Sequence, residues 1–203
     1  MSGLSEQRPL ELIHPPPTAE QRQMLPSQIL GTGVFILTEA MFFAGLISAF
    51  TVSRAGAVGG IWPPPGQPML PVAQTALNTV ALILSAVALW YSGKVFKEDP
   101  VRAKRPFQIS VALGALFVCM QGFEWFNLLA AGLTLQSSTY GAFFYLIVGA
   151  HALHAIFGIA VLAYVYRLLH QGLLSRPTMA AMQLFWYFVV GLWPVIYIVV
   201  YLT

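Results

Sequence analysis

MQGFEWFNLLAAGLTLQSSTYGAFFYLIVGAHALHAIFGIAVL, residues 120–162, decides the fold. Two apolar runs meet here across a short break, and neither carries a lysine or arginine. Embedded in them are an acid, Glu124, and two histidines, His151 and His154. A charged side chain at bilayer depth costs roughly 2.5–3.5 kcal/mol on insertion scales, so such groups face a bundle interior and a partner. The stretch therefore reads as parts of two membrane helices that share a polar interior.

Composition extends that reading to the whole chain. Of 203 residues, 58% are hydrophobic and 8% are charged, against about 25% charged residues in soluble domains. This is an integral membrane protein. A bilayer core of about 30 Å takes about 20 apolar residues in a helix, and five runs qualify: roughly 29–52, 73–96, 107–132, 140–169 and 179–202. A barrel would instead show short alternating strands. The expected architecture is all-α: a polar, proline-rich tail over residues 1–28, then a five-helix transmembrane domain over 29–203. The tail lacks the apolar centre of a cleavable signal, so the first span is expected to drive insertion.

Five spans put the tail, the second loop and the fourth loop on one side. That side holds Arg8, Arg22, Lys94, Lys97, Arg102, Lys104, Arg105, Arg167 and Arg176, nine of the ten basic residues. Only Arg54 lies opposite. The positive-inside rule then predicts a cytoplasmic N-terminus and a C-terminus outside. The run from Lys94 to Arg105 reads first as a topology determinant, with anionic lipid as a secondary partner. A net charge of +3, scattered over several loops, does not suit nucleic acid. The first outside loop is stiffened by Pro63, Pro64 and Pro65, and Trp62 suits the headgroup boundary. That stiffness suggests a cap or a docking surface.

Candidate chemistry is sparse. Cys119 is alone, which excludes a disulfide framework and a thiolate metal set, and is expected to be a small buried hydrophobe. Of seven acidic residues, only Glu39 and Glu124 lie within spans. Gln121 and Glu124 share a helical face and can hydrogen-bond. His151 and His154 are three apart, and Ala150, His154 and Gly158 form a stripe that lets another helix approach. Each carboxyl reads equally as a proton-linked or lipid-gripping group and as a neutral tie between helices. Di-metal bundles carry paired Glu-x-x-His motifs, and this chain has none, so no metal is expected. Trp186 and Trp193 fall seven apart on the last helix as packing or interface residues, and Pro194 predicts a kink or a water-satisfied carbonyl.

Seven segments, in order, resemble subunit III of the haem–copper oxidases, the cytochrome c and quinol oxidase superfamily. They are TEAMFF (38–43), WPPPG (62–66), LNTVALILS (77–85), QGFEW (121–125), YGAFF (140–144), GAHALHAIFG (149–158) and FWYFV (185–189). The resemblance runs from about residue 28 to the C-terminus and fits the short, five-helix bacterial form. It implies a multi-pass protein of the bacterial inner membrane with no cofactor of its own. Haem and copper would sit in partner subunits I and II. The family's subunit III binds phospholipid in a cleft, stabilises subunit I and supports proton uptake and oxygen access. By this resemblance Glu39 takes the lipid-cleft and proton-side role. Gln121, Glu124, His151 and His154 form a polar packing seam, and Trp62, Trp186 and Trp193 contact partner subunits or the interface. A larger respiratory supercomplex is a further implied partner. Many relatives carry a histidine where this chain has Tyr187 and an acid near Gly191. Those departures leave room for a quinol oxidase subunit or a nitric-oxide-reductase accessory protein. An independent proton-coupled transporter is the reading from another class.

Overall fold

A computed structural model describes residues 26–57 and 61–202. The expected tail lies outside the described residues up to residue 25. Five helices follow: α1 (Ser27–Ala55), α2 (Val72–Phe96), α3 (Pro100–Ala130), α4 (Thr139–Gln171) and α5 (Arg176–Ile196). A π-helical turn, Tyr197–Tyr201, continues α5. All five are long and apolar enough to cross a membrane, and no strand occurs among the described residues. We call the side holding the start of α1 the N face and the side holding the end of α5 the C face.

The third helix starts seven residues before the apolar run does. Asp99 caps it, its Oδ1 accepting from the N–H groups of Val101 (2.9 Å) and Arg102 (3.2 Å), and Pro100 occupies the first turn. Proline is pre-organised there and its missing N–H is not needed. The helix thus extends through Arg102, Lys104 and Arg105, which long basic stems allow at a membrane boundary.

Helices α2 and α3 form the scaffold. The buried positions of α2 include Thr75, Asn78, Leu82, Ser85, Leu89, Ser92 and Phe96. Those of α3 include Phe107, Ser110, Gly114, Phe117, Gln121, Glu124 and Leu128. Both sets alternate steps of three and four, the spacing of a coiled-coil seam. Lipid gives helices no hydrophobic reason to associate, so small side chains and hydrogen bonds hold them together. The rungs are Ser92 Oγ to the Ala103 carbonyl (2.9 Å), Ser85 Oγ to the Ser110 carbonyl (2.9 Å) and Asn78 Nδ2 to the Phe117 carbonyl (3.1 Å).

Helix α5 packs against this hairpin with its tryptophans inward. Trp186 is wholly buried where Gly114 of α3 and Gly158 of α4 leave room; a Cβ on either glycine would come within 2.9 Å of its ring. Its Nε1 donates to Ser85 Oγ at 3.1 Å, and Trp193 Nε1 donates to Thr79 Oγ1 at 2.8 Å. The expectation that these two tryptophans meet partner subunits is corrected: both are fully buried inside the chain. An indole N–H needs an acceptor when buried, and the hydroxyls of α2 supply one for each. Pro194 removes the N–H that would bond the Val190 carbonyl, and the helix passes three residues later into the π turn. Cys119 is likewise corrected: it is exposed, because its position falls between seam residues Phe117 and Gln121.

Helix α1 lies against α4 and α5 and buries only Phe43 and Phe50. Many of its other apolar side chains, including Leu30, Leu37 and Met41, face outward. At the C face, Trp62 packs edge-on against Phe50 (5.7 Å) and Tyr140 (5.6 Å), so the proline-rich loop caps the ends of α1 and α4.

Candidate functional site

The two acids within the spans sit in separate polar clusters at different depths. The first joins α1 to α4. His154 Nε2 lies 2.9 Å from Glu39 Oε2, and His154 Nδ1 lies 2.7 Å from the Ala150 carbonyl oxygen. A carbonyl only accepts, so Nδ1 carries the hydrogen of that contact. The 2.9 Å bond then has two forms: imidazolium donating to carboxylate, or carboxyl donating to neutral imidazole. Both forms have zero net charge and hold one proton between the two side chains. A pair of that kind tolerates low dielectric far better than either charge alone. The side chains are 20% and 19% exposed, at the bundle's edge rather than its core.

About one helical turn from the pair, and lined by neither of its members, lies a groove. Gln28, Thr32 and Phe35 of α1 line one wall, at steps of four and three that lead to Glu39. Phe157 and Val161 of α4 line another, one and two turns from His154, and Ala181 of α5 contributes to a third. The cavity is about 410 Å³ and mostly apolar. At its N-face mouth Thr178 Oγ1 donates to Gln28 Oε1 at 3.3 Å.

The second cluster joins α2, α3 and the end of α5 near the C face. Glu124 Oε2 accepts from Thr75 Oγ1 and from Gln121 Nε2, both at 2.9 Å. Gln121 Nε2 also reaches the Tyr201 hydroxyl at 3.2 Å, and Asn78 Nδ2 reaches Gln121 Oε1 at 3.5 Å. The π turn brings Tyr201 onto this cluster.

The expected seam is thus divided. Gln121 and Glu124 lie together, while His154 belongs with Glu39 instead. His151 joins neither: it is 1% exposed, its ring stacks on Trp193 at 5.0 Å, and Phe43 packs edge-on against both histidines. Neither His151 ring nitrogen has a hydrogen-bond partner among the described residues. Thr75, Asn78 and Tyr201 are members that sequence reasoning missed. The seven-residue spacing of Asn78, Ser85 and Ser92 was a usable signal for Asn78. At the departures, the Tyr187 hydroxyl accepts from Gln183 Nε2 at 3.0 Å, and Gly191 faces outward into open space. Among the described residues no three His, Cys, Asp or Glu side chains gather as a metal-ligand set.

The family model described as cytochrome c oxidase subunit III matches residues 23–203. A cytochrome c oxidase subunit 3 from Corynebacterium diphtheriae is 35% identical, over 85% of this chain and 86% of that one. A probable cytochrome c oxidase subunit 3 from Mycobacterium leprae is 34% identical, with the same coverages of 85% and 86%. A cytochrome c oxidase subunit 3 from Synechocystis is 32% identical, over 86% of this chain and 75% of its own length.

Proposed function

The chain belongs to the cytochrome c oxidase subunit III family, and from that premise we propose that it is the redox-free, lipid-holding subunit of a proton-pumping respiratory oxidase. It is a multi-pass protein of the bacterial inner membrane and a subunit III of a haem–copper oxidase. In this reading haem and copper reside in partner subunits I and II, and the N face is cytoplasmic. The names of the relatives favour cytochrome c over quinol as electron donor and an oxidase over a nitric-oxide reductase.

The observation that carries the reading is the apolar groove between α1, α4 and α5, whose lining stops about one helical turn short of the Glu39–His154 pair. A groove with apolar walls, open at the edge of a membrane bundle, suits a phospholipid acyl chain. Thr178 at its mouth, with Arg176 two residues before it, supplies polar and cationic groups for the phosphate. The pair, about one helical turn beyond the lining, carries no net charge, so the chain terminus lies near no bare ion. A proton that moves from one member to the other leaves the pair neutral, which suits a position beside proton uptake.

Ala181→Trp fills the groove without touching the pair. It is expected to lower the phospholipid retained by the purified oxidase, read by native mass spectrometry or by phosphorus content, while subunit composition stays intact. Unchanged lipid would contradict the assignment of the groove. Proton flux into liposomes containing this chain alone, abolished by Glu39→Gln, would instead favour the independent transporter.

A further inference from the structure

We propose that a pocket at the C face, walled by Glu124, Gln74 and Asn127, binds a primary ammonium group of the kind carried by phosphatidylethanolamine. This site is separate from the groove and does not depend on its assignment.

Glu124 is 1% exposed, and its two carboxyl oxygens are treated unequally. Oε2 receives both Thr75 and Gln121, whereas Oε1 is buried with no hydrogen-bond partner among the described residues. A buried polar atom without a partner carries a desolvation cost that a ligand can offset. Glu124 borders a pocket of about 210 Å³, together with the exposed amides Gln74 and Asn127. The rest of the wall is apolar and includes Pro68, Met69 and Leu128.

The chemistry of the occupant follows from the donors and acceptors available. A primary ammonium has three N–H donors and no acceptor. One carboxylate oxygen and two amide oxygens make the complementary set, and the apolar wall accommodates the adjoining methylenes. Nor does the chain supply a cation of its own: the ion pairs among the described residues are Asp99–Arg102 and Glu39–His154. The C-face end has Arg54 as its single described lysine or arginine. Depth selects the source. Glu124 lies six residues before the end of α3, about 9 Å below it at 1.5 Å per residue. The 31 residues of α3 make a rod of about 46 Å, longer than the ~30 Å hydrocarbon core, so this end reaches the headgroup layer. A quaternary choline headgroup offers no N–H and does not fit.

The test places the full-length chain in nanodiscs of equimolar phosphatidylethanolamine and phosphatidylcholine and counts retained lipids by native mass spectrometry. Wild type should retain phosphatidylethanolamine selectively. Glu124→Gln should abolish the selectivity and weaken retention about tenfold or more, as loss of a charge-assisted hydrogen bond does. Gln74→Leu with Asn127→Leu, at exposed positions that the fold does not need, should do the same and decides the matter where Glu124→Gln fails to fold. Ala181→Trp should leave this selectivity unchanged, which separates the two lipid sites. Displacement by free ethanolamine means that the ammonium alone is recognised; selectivity without displacement means that the lipid is required. Equal retention of the two lipids by wild type, or unchanged selectivity in both variants, would overturn the proposal.

Discussion

Replacing Glu39 by alanine is expected to leave the oxidase assembled, release tightly held phospholipid and shorten its turnover lifetime several-fold. Assembly survives because α1 is anchored elsewhere, by Phe43 and Phe50, and because Glu39 sits at the bundle's edge. What is lost is one bond of about 1.5–3 kcal/mol, the range for hydrogen bonds to charged groups, and the neutral pair next to the groove. His154 keeps its bond to the Ala150 carbonyl but presents Nε2 to lipid without a partner. Glu39→Gln separates the two roles of the pair. Glutamine preserves shape and hydrogen bonding but holds no exchangeable proton, so it is expected to keep the lipid and still shorten the lifetime. Steady-state oxygen consumption followed to inactivation, with lipid phosphorus measured in parallel, checks both variants. Normal lifetime and normal lipid in Glu39→Ala would remove the pair from the account.

Trp186→Ala is expected to be the most destabilising single change in the bundle, at about 3–5 kcal/mol, the usual range for losing a fully buried tryptophan. The ring fills a slot whose walls are Gly114 and Gly158, and neither has a side chain that could move into the space. Ser85 also loses the indole donor, although its bond to the Ser110 carbonyl persists. Gly158→Val should destabilise the same contact from the opposite side, by forcing the ring out of its slot. Thermal unfolding of the purified chain in detergent measures both. Trp62→Ala, on the half-buried rim, is the control and should cost clearly less. Equal losses for Trp62→Ala and Trp186→Ala would show that the slot has no special weight.

The spans were legible because apolar length is a property of consecutive residues. Each of the five helices overlaps one of the apolar runs. The third boundary escaped because hydropathy discounts Arg102, Lys104 and Arg105, whereas backbone hydrogen bonding continues through them to the Asp99 cap. Partnerships between helices are a different matter. The spacing of His151 and His154 puts them on neighbouring parts of one face, but nothing local says which helix that face meets. Glu39 and His154 are 115 residues apart, so their pairing depends on how α1 packs against α4. The division of the expected seam into two clusters was hidden for the same reason. The inward turn of Trp186 was more accessible: Gly114 and Gly158 mark close approach, and Ser85 on α2 is a buried acceptor that an indole needs. The sevenfold polar spacing on α2 also announces a seam, which becomes visible once buried positions are read by heptad rather than by overall apolarity.

The central claim, a redox-free subunit that joins an oxidase and holds lipid beside Glu39 and His154, meets its most direct test in native mass spectrometry of the complex captured through a tag on this chain. The account predicts this chain together with the two large oxidase subunits and bound phospholipid, and haem and copper that leave with the large subunits when the complex is dissociated. A chain that is captured without them, or that keeps stoichiometric haem or copper after dissociation, would contradict it.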